Sequence, residues 1–220
     1  MKQGAEYLAT VLARAAGSVH LPRALRGAGG PFLLHVSDPP SSLYPLVGRL
    51  LDALRPAWLL LTGDLADELK LELYPALRHR YAARLADLRE VLLPRLAAAP
   101  RGGEPGQGLR LLVCAGNHDD ALLVRSLFPE ALVVGDSLRF RAGGLDCAAS
   151  HWAARAEETG ADYLFYGHDL SRPSGEEGRR RFLNGVSSIN VVDLGSGGVF
   201  HLPYPAGTDA KRLLRPKIGL

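Results

Sequence analysis

Three apolar stretches of strand length each end in a glycine that is followed by side chains able to bind a metal ion. The first is Leu59–Asp64, and a further carboxylate follows at Asp67. The second ends in Gly116–Asp119 and the third in Gly167–Asp169. Carboxylate, amide and imidazole groups are ligands that suit divalent ions such as Mn, Fe or Zn. One such junction would be a turn, whereas three in one chain predict a metal site.

The elements that position these residues follow from the hydrophobic pattern. Continuous aliphatic runs are typical of buried parallel strands, and chemistry in open α/β sheets gathers beyond their carboxyl ends. A strand over 31–36, a helix ending near Leu54 and a strand over 57–61 predict a right-handed crossover. A long amphipathic helix over about 77–96, a loop over 100–108, a strand over 109–115 and a helix over 121–128 follow.

The second half of the chain has shorter apolar runs separated by glycine turns. The predicted strands are 132–134, 138–141, 145–149, 163–166, 181–183, 189–194 and 199–202. One helix, over about 153–159, interrupts them. The whole pattern predicts an α/β fold in which two sheets face each other with helices outside.

Composition is that of an ordinary globular protein. The 220 residues are 47% apolar and 22% charged, with a net charge of +3. Basic residues are dispersed apart from Arg179–Arg181 and the segment 211–217, and no aromatic residues interleave them. We therefore expect solvated charges there, which argues against nucleic-acid binding. Cys114 and Cys147 fall in predicted strands, as small core residues do.

The chain divides into three predicted segments. Residues 1–30 form a helical extension that serves either packing or docking of a partner, with Tyr7 and Leu8 on its apolar face. Residues 31–205 form the main domain, and residues 206–220 a basic tail. Glu6 and Arg14 interrupt the apolar residues near the N-terminus, so we expect no signal peptide, no membrane span and a cytoplasmic location.

The order of the polar motifs resembles that of the calcineurin-like metallophosphoesterases, and especially their small bacterial and archaeal phosphodiesterase-like members. The resemblance runs from about 31 to 202. It rests on five motifs or single residues in this order: Asp38, Gly63–Asp67, Gly116–Asp119, His151 and Gly167–His168. It implies an αββα sandwich of two mixed β-sheets with a two-metal centre at the strand ends. Two adjacent cations can lower the pKa of a water molecule and hold a phosphate while charge develops.

The resemblance also implies a role for each residue. It assigns the second metal to Asp64, Asn117, His151 and His168. Asp64 would bridge both metals, and Asp38 would serve the first. His118 resembles the residue that contacts the phosphoryl oxygen and protonates the leaving group, and Asp67 would orient it.

Two expected histidines are absent. The family has Asp–x–His where this chain has Asp38–Pro40, and Gly–His–x–His where it has Gly167–Leu170. Both losses fall on the first metal, which keeps only Asp38 and the shared Asp64. Strand alternation points His35 away from this position, and Asp169 is the better substitute. We expect one metal to bind firmly and the other weakly or not at all.

Three functions remain open from the sequence. The first is a metal-dependent phosphoesterase that hydrolyses phosphodiesters or phosphomonoesters, with a phosphorylated small molecule or nucleotide as substrate. The second is a catalytically impaired pseudoenzyme that acts as an interaction scaffold for a protein partner or a second copy of itself. The third is a module that uses its metal to bind a nucleotide or phosphate without cleaving it.

Overall fold

A computed structural model describes residues 2–98, 100–102 and 108–212 of the chain. In chain order its strands are β1 (Phe32–Val36), β2 (Trp58–Leu61), β3 (Arg110–Cys114), β4 (Leu132–Val134), β5 (Ser137–Ala142), β6 (Leu145–Ser150), β7 (Tyr163–Tyr166), β8 (Gly175–Glu177), β9 (Arg180–Asn184), β10 (Ile189–Asp193) and β11 (Val199–Leu202). The helices are α1 (Lys2–Ala15), α2 (Arg23–Gly27), α3 (Tyr44–Leu54), α4 (Arg78–Leu96), α5 (Ala121–Leu127), α6 (Ala153–Glu158) and α7 (Thr208–Lys211). Of the predicted segments, 103–107 of the loop and 213–220 of the tail lie outside the described residues.

The first sheet has the order β11–β10–β1–β2–β3–β4. Strands β1 to β4 are parallel, while β10 and β11 are antiparallel to their neighbours. Parallel neighbours require crossover connections. Helices α3, α4 and α5 provide these connections, and their buried apolar residues join the core on the outer face of the sheet. The carboxyl ends of β1, β2 and β3 therefore meet at one edge.

The second sheet has the order β5–β6–β7–β9–β8. Strands β5 and β6 form a hairpin through the turn at Gly143–Gly144, which have φ angles of 56° and 82°. Strands β6, β7 and β9 are parallel. The carboxyl ends of β6 and β7 therefore also lie at a common edge.

Alternating side chains build the core between the two sheets. On the facing surfaces, Leu33, Leu60 and Leu112 of the first sheet pack with Phe165 and Leu183 of the second. The neighbouring residues on each strand point to the outer helices, as the two-residue period of a strand requires. The structure is thus an αββα sandwich, and the predicted fold class is confirmed.

Three short elements were not predicted from the sequence: helix α2, strand β8 and helix α7, which has four residues and lies in the segment predicted as a basic tail. Helix α2 has five residues, too few to show a helical period. Strand β8 has the sequence Gly–Glu–Glu and is exposed throughout, so it has no apolar alternation. It forms by pairing with β9, where Glu176 lies opposite Arg181 and makes an ion pair with it.

The expectation of solvated basic residues is confirmed for Arg179 and Arg180 but is wrong for Arg212. Arg179 and Arg180 are exposed. The Arg212 side chain is fully buried and donates to the backbone oxygens of Ser37, Asp38 and Val186. Within the described residues no helix is both long and apolar enough to cross a membrane. Cys114 and Cys147 are buried free thiols.

Candidate metal centre

The two sheets bring five of the predicted site residues together. Asp38, Asp64 and Asn117 follow the carboxyl ends of β1, β2 and β3 in the first sheet. His151 and His168 follow β6 and β7 in the second sheet. Because the sheets face each other, the loops from both edges meet above the core.

Tight turns aim these side chains at one another. Asp38, Asp64 and His168 have φ angles of 50°, 51° and 70°, in the left-handed region that costs most residues about 1 kcal/mol. Gly63 has a φ of 93°, and a Cβ on it would lie 2.5 Å from His151 Nδ1. A glycine at this position is therefore required by both the backbone angle and the close approach of the histidine ring.

His151 has a defined tautomer. Its Nδ1 lies 2.7 Å from the backbone oxygen of Thr62, which can only accept, so Nδ1 carries a proton. In the neutral ring Nε2 then has a free lone pair. That atom lies 3.1 Å from Asn117 Oδ1, 3.2 Å from His168 Nδ1 and 3.6 Å from Asp64 Oδ2.

Glu72, which is not one of the predicted ligands, sets the orientation of the Asn117 amide. Its Nδ2 donates to Glu72 Oε2 at 2.6 Å, so its oxygen faces His151. The amide oxygen, the Asp64 carboxylate and the His151 lone pair are all acceptors, and they converge with a nitrogen of His168. A cation between these facing acceptors would satisfy all of them, and this donor set suits a divalent transition ion. The residues present fit a metal.

Carboxyl groups are concentrated beside this cluster. Single ligand atoms of Asp38, Asp64 and His151 lie within 4.8 Å of one another, as do those of Asp64, Asp67 and His118. Burial raises the pKa of Asp64 well above its usual range, and the nearby Asp38 adds to the effect. Burial likewise raises the pKa of Asp67 to about 7. A bound cation would relieve this repulsion.

Asp119 holds the loops of the site in place, a role that the sequence analysis did not assign. Its carboxylate accepts the backbone N–H groups of Asp64, Leu65 and Gly116, each at 2.8 Å, and the Tyr81 hydroxyl at 2.7 Å. It therefore ties the loop after β2 to the loop after β3. Its position directly after Asn117–His118 was the only sequence signal.

The predicted pairing of Asp67 with His118 is not among the hydrogen bonds of the described residues. The Asp67 carboxylate contacts the ammonium of Lys70 instead. The His118 ring lies 3.3 and 3.4 Å from the amide nitrogen of Asn117 and 3.7 Å from Glu72 Oε2. Burial, and then the charge of Lys70, lower the pKa of His118 to about 4, so the ring is neutral at pH 7. Neither Lys70 nor Glu72 belongs to a predicted motif.

No imidazole takes the place of the two missing histidines within the described residues. Pro40 begins a short 3₁₀ turn, and Leu170 is 59% exposed. His35 uses Nε2 on the Thr62 hydroxyl and Nδ1 on the Asn190 amide, so it is not available. The substitute proposed from the sequence, Asp169, is exposed and accepts hydrogen bonds from Ser171.

Comparison with solved structures identifies the fold. An archaeal phosphodiesterase is 13% identical, with a TM-score of 0.50 over 77% of this chain and 97% of its own. YfcE, a phosphoesterase from E. coli, is 14% identical, with a TM-score of 0.47 over 79% and 99% of the two chains. A Vps29 from Entamoeba histolytica is 15% identical, with a TM-score of 0.44 over 74% and 85%. The chain matches no family model and no curated protein sequence.

Identities this low show a shared fold and no more. The likeness to the archaeal phosphodiesterase carries that conclusion, together with the order of the sheets and the junctions described above. The chain has the fold of the calcineurin-like metallophosphoesterases.

Proposed function

We propose that the protein is a metal-dependent phosphoesterase that works with one firmly bound divalent ion. The observation that carries the proposal is the convergence on His151 Nε2 of acceptor oxygens from Asn117 and Asp64, with His168 beside them. These four residues would hold the metal. Asp38 would add a carboxylate on the side where Pro40 offers no ligand.

A bound divalent ion would supply positive charge to a phosphoryl group and would activate water for attack. The residues of the chain provide the rest. The Thr62 carbonyl keeps His151 in the tautomer that ligation needs. His118 is neutral at pH 7, so its ring N–H would donate a hydrogen bond to a phosphoryl oxygen. The negative charge of a bound phosphate would raise the pKa of His118, and the ring would then take up a proton from solvent and pass it to the leaving-group oxygen.

Metal binding is the first test. Titration of metal-free protein with Mn should show near one equivalent per chain, and His151→Ala should abolish it. In the alternative without a metal, a doubly protonated His151 would donate a hydrogen bond to the same oxygens. Absence of Mn binding to the wild type would support that alternative and refute the proposal. His79→Ala, on the exposed face of α4, is the matched control and should bind Mn as the wild type does.

Hydrolysis is the second test. Chromogenic phosphodiesters and phosphomonoesters should be cleaved in the presence of Mn, and His118→Ala should lower kcat by about a hundredfold or more, the usual size of acid–base catalysis. Activity that survives this change would remove His118 from the mechanism. His79→Ala again serves as the control.

The degenerate first metal position is tested by restoring its ligands. The double variant Pro40→His/Leu170→His should raise the Mn content towards two equivalents if these positions alone prevent the second ion from binding. A variant that folds yet still holds one equivalent would show that other features of the loops exclude the second ion.

A second candidate function is that of an interaction scaffold. Two observations favour it: the loss of ligands at Pro40 and Leu170, and the exposed apolar side chains of α1, Tyr7, Leu8, Val11 and Leu12. In this alternative the helical extension 1–30 would dock a partner, while 31–205 would provide the frame. Stoichiometric Mn binding without any turnover would favour this function over catalysis.

A further inference from the structure

Lys70 occupies a position in the backbone that seldom holds a lysine. It ends the 3₁₀ turn Asp67–Leu69 with φ 31° and ψ 58°, in the left-handed region where glycine or asparagine is usual. A residue held there by its surroundings points to a role for its side chain. The Lys70 side chain is only 18% exposed, so its aliphatic part is covered and its ammonium is held inside the site.

The ammonium lies among the groups of the metal centre. Its partner, Asp67, is 1% exposed, and the second oxygen of that carboxylate has no hydrogen-bond partner among the described residues. Asp67 itself lies within 4.8 Å of ligand atoms of Asp64 and His118. The ammonium therefore lies beside the metal centre, next to the loops that follow β2 and β3.

Charge balance shows what this ammonium does for a ligand. Asp38, Asp64 and Asp67 together can carry three negative charges, and one divalent ion leaves the group negative. A phosphoryl group would be repelled from such a site. An ammonium has three donor protons, and Asp67 supplies the one acceptor within hydrogen-bonding distance of it among the described residues. The remaining protons are available to an anion.

We propose that Lys70 binds the phosphoryl group of the substrate and provides the second positive charge of the site beside a single metal ion. The inference rests on the proposed phosphoesterase function and adds a specific residue to it. Lys70 would act as a point charge on a phosphoryl oxygen, while Asp67 keeps its ammonium in position. The ligand class is an anion with a terminal or bridging phosphate.

The test measures the affinity of inorganic phosphate for the full chain by calorimetry, with and without Mn. Loss of a charge-assisted hydrogen bond should weaken phosphate binding by roughly tenfold to a hundredfold in Lys70→Met. Lys70→Arg keeps the charge and should stay within about threefold of the wild type. Mn affinity should not fall in Lys70→Met, because the variant removes a neighbouring positive charge.

Lys211→Met is the matched control, since this exposed lysine on α7 lies outside the site, and it should bind phosphate as the wild type does. Unchanged phosphate affinity in Lys70→Met would overturn the inference, as would a Mn-loaded wild type that binds no phosphate. If the wild type binds no Mn, the metal proposal is refuted. The inference about Lys70 would still be supported if phosphate binds in the absence of Mn and binds more weakly to Lys70→Met. If Lys70→Met does not fold, Asp67→Asn/Lys70→Met is compared with Asp67→Asn.

Discussion

Replacing Asp119 with asparagine should destabilise the protein although the two side chains have nearly the same shape. Each carboxylate oxygen accepts two hydrogen bonds: Oδ2 from the backbone of Asp64 and Gly116, and Oδ1 from the backbone of Leu65 and the Tyr81 hydroxyl. An amide has one acceptor oxygen in place of two. Its NH₂ group would therefore face two donors.

The size of the effect follows from this count. Two of the four hydrogen bonds to a charged group are lost, and each contributes about 1.5–3 kcal/mol. The Tyr81 hydroxyl can rotate and accept from the new amide, which recovers one of them, whereas the Leu65 N–H cannot. We expect the free energy of unfolding to fall by about 1.5–3 kcal/mol, a large share of a typical total of about 5–15 kcal/mol.

Urea unfolding of the metal-free protein, followed by tryptophan fluorescence, measures this change. Asp120→Asn is the matched control. Asp120 caps α5 by accepting the Leu123 N–H at 3.0 Å, and asparagine caps a helix about as well as aspartate. Asp120→Asn also weakens the partly exposed ion pair of Asp120 with Arg78, which is worth up to about 1 kcal/mol, so its cost should stay below about 1 kcal/mol. A loss of less than about 1 kcal/mol in Asp119→Asn would refute the assignment of Asp119 as the residue that joins the two loops.

Three further outcomes are expected. The pKa of Asp67 is about 7 in the folded protein, above its unfolded value of about 4, so metal-free protein should lose stability as the pH rises from about 4 to about 7. Thermal unfolding of Asp67→Asn should show a shallower slope over this pH range than the wild type, with the remainder due to other buried carboxyl groups such as Asp64. Gly63→Ala should destabilise the protein and weaken Mn binding by displacing His151, whereas Gly160→Ala, with a φ of 72° but open space around it, should carry only the backbone cost. Mn at a hundred times its dissociation constant should add about 2.7 kcal/mol to the free energy of unfolding, and a chelator should remove that gain.

Much of the fold was predictable because it depends on local patterns. Aliphatic runs such as 59–61 and 111–114 identify strands buried on both faces, and the amphipathic stretch of α4 identifies a crossover helix. Since parallel strands place their carboxyl ends at one edge, the grouping of Asp64 and Asn117 also followed from the order of the chain. The convergence of His151 and His168 with them was inferred from the family resemblance and is what the structure shows.

What the chain order could not reveal were contacts that depend on how loops fold back. Asp119 reaches the backbone of Asp64 across 55 positions, and Arg212 reaches Ser37 across 175. Asp67 contacts Lys70, where the resemblance implied His118, because a left-handed turn at Lys70 brings the lysine ammonium into the site. Strand pattern is a local property of neighbouring side chains, so sequence determines it. The contact between a buried carboxylate and a particular cationic side chain depends on the three-dimensional path of a loop, and only the tertiary structure decides that path.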